Sequence, residues 1–368
     1  MRNSIFSTEY DDIIAAIHKV DPIAYGRTRN FINGAVSALS PYISRGVIST
    51  RQVMTHLMQK GYKVYQIEKF LQELAWRDYF QRVAMDRPAL LTQDLKNPQP
   101  RADHSDMPLS VMEVHTGIEA LDAAIQGLYD TGYMHNHCRM YIASVVCNIA
   151  RCQWQVPAQW MYYHLLDADF ASNACSWQWV SGAFSNKLYF ADQHNVNKYC
   201  HTDQKGTFLD LSYEEIASMP IPENLLIREP FFARTILPET DIPEIHPDKP
   251  ILIYNAYNLD PVWRKDEDVN RILLLEPSHF TKLPVCERTI QFIIDLSRNI
   301  PGIVLFVGEF ETLKHMTGSA DIIFREHPLF RHYKGITDPR EWMFPEITGY
   351  HNSFFSYWKK CERLLKKM

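Results

Sequence analysis

The spacing of apolar positions changes character along the 368 residues. In the first part, residues 8–20, 50–60, 66–84, 116–132 and 134–149 repeat apolar side chains every three or four positions, which predicts helices. Thr8 is the expected N-cap of the first helix, with Asp21-Pro22 as its stop. Thr116-x-x-Glu119 reads as a capping box and Gly132 as the end of that helix. Beyond residue 250 the pattern becomes short unbroken apolar runs at 250–254, 271–275, 303–307 and 321–324, with an amphipathic stretch at 286–299. Buried parallel strands alternating with helices give that pattern. Residues 86–112 read as a long surface connection, 201–249 as a proline-rich acidic linker, and the chain from Phe354 to Lys367 as a basic amphipathic helix. The expected fold class is therefore α followed by α/β: an all-helical domain over 1–205, a linker over 206–249, and a smaller Rossmann-like domain over 250–368.

Composition narrows the setting more than the chemistry. Hydrophobic residues make up 46% and charged residues 22%, ordinary values for a globular protein of two domains. No apolar run approaches bilayer length and the first ten residues lack the apolar core of a signal peptide, so a cytoplasmic protein without a membrane partner is expected. Seven cysteines without a CxxC pair argue against a disulfide framework and against zinc of familiar spacing, and no metal site is expected. Net charge is −5, with residues 1–205 balanced and the excess acid in 206–368. That composition gives nucleic-acid binding no support of its own; it would need a local basic rim.

Candidate chemistry is densest at Asp167-Ala-Asp169-Phe-Ala-Ser-Asn173-Ala-Cys-Ser-Trp177-Gln-Trp179. If helical, Asp169, Asn173 and Trp177 share one face while Trp179 points elsewhere, a stripe suited to a flat, polar-edged ring system; core packing is the plain alternative. Three other segments carry matching chemistry. Glu73, Trp76 and Arg77 set an acid, an indole and a guanidinium at i, i+3, i+4, which also reads as a surface ion pair beside a core tryptophan. Asn136, His137, Arg139 and Met140 repeat the device, and Ser37-Ala38-Leu39-Ser40-Pro41 offers hydroxyls and turn amides for an anion, with Ser40 equally a helix N-cap before Pro41.

Taken together, from about Tyr25 to about Tyr199, these segments resemble the FAD-binding helical domain of the DNA photolyase/cryptochrome family. The resemblance implies FAD as cofactor, held by Tyr25, by Ser37, Ala38, Leu39 and Ser40 at the diphosphate, by the Arg139–Asp167 pair and Asp169, and by Asn173 beside flavin N5. Two departures touch the phosphate segment: Val36 stands where relatives often carry Thr, and Ala38 where some carry Arg. It further implies that Glu73, Trp76, Asn136, Met140 and Trp179 line a pocket for a damaged pyrimidine. Arg77 and His137 would face the DNA backbone, His137 replacing an arginine of many relatives. Trp177 and Trp154 would relay electrons, while the third relay position falls on Val111, with Trp160, Tyr162 and Tyr163 as possible substitutes. Cys138, Cys147, Cys152, Cys175 and Cys200 match no iron–sulfur ligand spacing and read as buried thiols.

The resulting expectation is a light-driven enzyme similar to the cyclobutane-dimer photolyases, with damaged DNA as partner. The alternatives are a cryptochrome-like photoreceptor with a protein partner and a flavoprotein that binds DNA or a partner in the dark. The C-terminal α/β domain is either an antenna-like domain in permuted order, its chromophore unidentified, or an unrelated one. Photolyases carry theirs ahead of the helices.

Overall fold

The computed structural model describes residues 5–185, 187–316, 318 and 320–367. In chain order the first part forms helices α1 (Tyr10–His18), α2 (Pro22–Thr28), α3 (Ser40–Ser44), α4 (Thr50–Gln59) and α5 (Val64–Asp86). Strand β1 (Met107–Pro108), helices α6 (Leu109–Met112), α7 (Glu119–Thr131), α8 (Asn136–Ala143), α9 (Gln155–His164), α10 (Phe170–Ser181), α11 (Gln193–Cys200) and α12 (Tyr213–Ser218), and strand β2 (Arg228–Glu229) follow. The last part alternates strands and helices: β3 (Ile251–Tyr254), β4 (Asn270–Leu275), α13 (Pro277–Lys282), α14 (Glu287–Ser297), β5 (Ile303–Val307), α15 (Phe310–Met316), β6 (Ile322–Arg325), β7 (Ile336–Asp338) and α16 (Phe354–Leu365).

These elements gather into two compact units whose borders differ from the expected 1–205, 206–249 and 250–368. A sheet unit joins the described residues up to Pro22, Ser37–Asp86 and the chain from Arg234 on; a helical unit holds Ile23–Val36 and Arg87–Ala233. The physical reason for the first grouping lies on α5. Asp78, 1% exposed, accepts hydrogen bonds from Thr50 Oγ1 (2.8 Å) and from the backbone N–H of Met343 (2.7 Å), and Arg82 donates to the Phe344 carbonyl (3.0 Å). Buried polar groups need such partners, so α5 cannot be separated from the C-terminal segment without stranding them.

In the sheet unit, five parallel strands run in the order β5-β4-β3-β6-β7. β3 is buried at every residue, as expected of a central strand of an unbroken apolar run. Four of the five strands stand where the apolar runs predicted them; β7, only Ile-Thr-Asp, has no such run. Residues 230–249, part of the expected linker, form no regular element, and Thr240 Oγ1 accepts from the backbone N–H of Val307 (2.9 Å) at the edge of β5. The turn after α3 approaches the loop after β3 so closely that a Cβ at Gly46 (φ +64°) would stand 2.2 Å from the Tyr257 carbonyl oxygen. Only glycine fits there.

In the helical unit α10 is central. Ala171, Ala174, Cys175, Trp177, Gln178, Val180 and Ser181 are all buried, so its small residues allow neighbours to close around it. Gln178 accepts from the Leu95 N–H (2.7 Å), and Asn148 donates to the carbonyls of Val180 (2.9 Å) and Tyr189 (2.8 Å). The predicted 134–149 helix is α8 continued by a wider π-type turn over Ser144–Ile149. Cys138, Cys147, Cys152, Cys175 and Cys200 are all buried, as read from the sequence.

Three local expectations need correction. Thr8 is not the cap of α1; the N-cap is Glu9, and the Thr8 carbonyl instead accepts from Asn299 Nδ2 (2.7 Å). Thr116 does not form a capping box with Glu119, because its hydroxyl is bonded to Asp122 Oδ1 (2.7 Å) while Gln204 accepts from the Glu119 N–H (2.8 Å). Ser40 is the first residue of α3 and Leu39 its N-cap. Among the described residues, no helix is long and apolar enough to cross a membrane.

Candidate functional site

Asp169 ends the loop before α10 in extended backbone and accepts from the Ser172 N–H (2.7 Å), the geometry of an N-cap. That fixes the start of the helix and so the direction of Asn173. The Asn173 amide donates to the Ala158 carbonyl on α9 (2.8 Å), using one of its two N–H donors; the amide type retains acceptor and donor capacity for a ligand. Two residues before the cap, Asp167 is 3% exposed in its side chain and accepts both oxygens' worth of bonding from Arg139 Nη2, at 3.0 Å each. Arg139 is itself aimed by Nε, which donates to the Met134 carbonyl (2.9 Å). The sequence pattern thus brings α8, α9 and α10 together at Arg139, Asp167, Asp169 and Asn173, all in one unit.

The same unit buries two indoles, Trp154 and Trp177, each 2% exposed. Trp154 Nε1 donates to Asp94 Oδ1 (2.8 Å), which pins the ring. Trp179 is 41% exposed, with its ring centroid 6.0 Å from that of Tyr189. Asn136 opens α8 on the surface and Met140 is half-buried one turn on. Tyr25 falls in α2 rather than in the loop expected at 25–34, and is half-buried. Ser172, unsingled by sequence, has a buried Oγ without a hydrogen-bond partner in the protein.

His137 departs from its expected place at a DNA phosphate. Its Nδ1 bonds the Asn30 carbonyl (2.9 Å) and its ring lies between Tyr141 (4.8 Å) and Tyr199 (4.7 Å). Burial lowers its pKa, which disfavours the charged form that a phosphate contact would use.

The remaining candidates belong to the sheet unit. Glu73, Trp76 and Arg77 do share the face of α5, but each has company there. Trp76 stacks on Phe354 of α16 with centroids 3.8 Å apart and planes 9° from parallel. Arg77 donates to Ser44 Oγ (2.8 Å). At Ser37-Ala38-Leu39-Ser40 the backbone carries a feature that no propensity rule flags: Ala38 has φ +53°, followed by Leu39 in the right-handed region. Alternating left- and right-handed residues turn successive N–H groups to one side, an anion-binding concavity, and a non-glycine residue held there is strained.

The matching segments decide which family this chemistry resembles. Residues 70–236 match the FAD binding domain of DNA photolyase. The chain is 30% identical over 202 residues to the deoxyribodipyrimidine photo-lyase of Alkalihalophilus pseudofirmus, covering 53% of this chain and 42% of that protein. It is 34% identical over 201 residues to the deoxyribodipyrimidine photo-lyase of Streptomyces griseus, with 54% and 42% covered. It thus spans less than half the length of these relatives. Among solved structures it is similar to the archaeal photolyase from Sulfolobus tokodaii (TM-score 0.47, 23% identity, 54% of this chain and 45% of that one).

The photolyase-matching segment contains Glu73 to Trp179, whereas Tyr25 and Ser37–Ser40 precede it. FAD is the cofactor of the matched domain type. The chemistry of the donor set fits that group. An isoalloxazine edge offers an N–H and carbonyl oxygens, a ribityl chain offers hydroxyls, and the helical unit supplies carboxylate, amide and guanidinium together with the unpartnered Ser172 hydroxyl. No group of three or more His, Cys, Asp or Glu among the described residues is arranged to hold a metal ion.

Proposed function

We propose that the protein is a FAD-dependent, blue-light-driven enzyme similar to cyclobutane pyrimidine dimer photolyases, acting on damaged DNA. The observation that carries this reading is the Arg139–Asp167 pair beside the Asn173 amide, within the segment that matches a photolyase FAD binding domain. Bound FAD supplies light absorption and one-electron chemistry. The chain's own residues position it and keep water out. Asp167, held by Arg139, would hold the polar edge of the ring system, and Asp169, which caps α10, would accept from the cofactor. Asn173, able to donate or accept, tolerates both protonation states of the neighbouring ring nitrogen. By the family resemblance, Ser37, Ala38, Leu39 and Ser40, with their turn amides and hydroxyls, are assigned to the diphosphate, and Tyr25 to the dinucleotide. Trp177 and Trp154 are the relay indoles. Glu73, Asn136, Met140, Trp76 and Trp179 are assigned to the pyrimidine pair, and Arg77 to the DNA backbone. A pocket of flat walls with few polar contacts returns the unstacking energy of an extruded base pair.

A second reading, a photoreceptor without repair activity, is favoured by one contact. The Phe354 ring covers a face of Trp76 at stacking distance, so that face is not open to a base. Illuminating the reduced protein with an oligonucleotide containing a pyrimidine dimer separates the two. Repair that is lost in Glu73→Ala supports the enzyme; normal photoreduction with no repair, also in Phe354→Ala, supports the photoreceptor.

A further inference from the structure

The sheet unit has a cleft that the flavin reading leaves unused. The strand order β5-β4-β3-β6-β7 means that the chain leaves β3 toward β4 on one side and returns to β6 on the other. In open parallel sheets, ligands bind beyond the carboxyl ends of the strands at such a reversal. Here a cleft of about 640 Å³ is lined by Asn258 and Asp260, which follow β3, and by Arg325 and His327 at the end of β6. A second of about 1020 Å³ shares Arg51, Arg325 and Arg340 as lining residues with it.

The charge and hydrogen-bonding pattern of the walls gives the class of ligand. Five arginines, Arg51, Arg82, Arg325, Arg331 and Arg340, face four carboxylates across the two clefts. One carboxylate is already committed, since Asp260 Oδ2 lies 3.1 Å from Arg325 Nη1. The same Nη1 donates to Asn258 Oδ1 (3.2 Å), which turns the amide so that its NH₂ points away from Arg325. Asn258 is 3% exposed, and its Nδ2 has no hydrogen-bond partner in the protein; nor has Arg325 Nε. Both are donors, and a buried donor without an acceptor is costly, so the cleft calls for an acceptor-rich, anionic group. β3 is followed by turns with no helix start or glycine-rich loop, so side chains, not backbone amides, would hold that group. The Tyr257 ring is already stacked on His327 at 4.6 Å, so the organic part of a ligand would rest on aliphatic side chains, not between free aromatic faces. The cleft is larger than a bare oxyanion, and Ile14, Ile17 and Ile48 supply an apolar side for an organic portion.

We infer that this switch-point cleft binds a small phosphate ester of nucleotide size through Arg325, Asn258 and Arg51. The inference is independent of the flavin reading. The test is equilibrium binding of AMP to the full-length protein, with inorganic pyrophosphate as competitor and adenosine as the uncharged control. The expected result is saturable AMP binding displaced by pyrophosphate, no adenosine binding, and affinity weakened about tenfold or more in Arg325→Lys and in Arg51→Ala, since each removes a charge-assisted hydrogen bond. Arg325→Lys keeps the charge opposite Asp260, and Arg51, exposed on α4, is free of the folded core, so a folding defect does not mask the outcome. Absence of binding of both AMP and pyrophosphate to the wild-type chain overturns the inference. So does adenosine binding equal to AMP, or unchanged affinity in both variants.

Discussion

At the residue scale the weight falls on Asp167. A carboxylate with its side chain 3% exposed needs partners, and Arg139 bonds both its oxygens. Arg139→Gln is therefore expected to destabilise the fold toward the low end of the roughly 3–5 kcal/mol seen when one member of a buried pair is removed, because the guanidinium is 21% exposed, and to weaken flavin retention. Denaturant unfolding with and without added FAD measures both. An Arg139→Gln protein with unaltered stability and flavin content would show that the pair matters to neither. Ala38 gives a second case. Its left-handed φ is costly with a Cβ and prohibitive with a branched one, so Ala38→Gly should keep the flavin while Ala38→Val loses it and costs about 1–3 kcal/mol. Equal behaviour of the two variants in unfolding and flavin titration would remove the backbone argument. Asp169, Asn173 and Trp177 are readable as one face by their i, i+4, i+8 spacing, whereas the Arg139–Asp167 pair is legible only through the family resemblance. The strain at Ala38 was not readable, since propensity places alanine in a right-handed helix and only the contacts around a residue force it elsewhere.

Element by element, the long periodic segments were the readable ones. α1, α4, α5, α7 and the four apolar-run strands follow from pattern alone, because burial of one face or of a whole strand leaves a trace in the order of residues. The caps of α1 and α7 misled for different reasons: α1 starts one residue later than Thr8, at the Glu9 cap, while the Thr116 hydroxyl bonds Asp122 six residues on instead of closing a box with Glu119. The partner of Trp76 was also hidden: nothing near residue 76 announces that α16 will lay Phe354 on its indole. Phe354, 3% exposed, packs against Trp76, Tyr79 and Trp358, so Phe354→Ala should cost about 3–5 kcal/mol and shift tryptophan emission to the red as Trp76 meets water. An unshifted spectrum and an unchanged unfolding midpoint would mean that this helix is not anchored by the stack.

For the whole molecule, the division into units follows from long-range polar bonds that no local pattern encodes. Residues 37–86 read as helical, like the segments that follow them, but Asp78 and Arg82 tie them to the chain around Met343 and Phe344. The sheet unit also holds buried imidazoles whose protonation opposes folding. Burial, reinforced by the Arg45 and His332 charges, lowers His279 to about 3, and burial lowers His327 well below its ordinary value. Both bind a proton more readily unfolded than folded, so stability is full above the unfolded pKa near 6.5 and is lost progressively as pH falls from there toward 3. The unfolding midpoint should decline over that window, less steeply in His279→Gln; equal slopes would show that this imidazole does not contribute.

The central claim is that the helical unit holds FAD against Asn173 and the Arg139–Asp167 pair. The visible absorption spectrum of the purified protein, before and after incubation with FAD and repeated on Asp167→Ala, tests it directly. The account predicts a flavin spectrum at about one flavin per chain in the wild type, reduced or absent in the variant. A colourless wild-type protein that takes up no flavin, or a variant that retains flavin as well as the wild type, would contradict it.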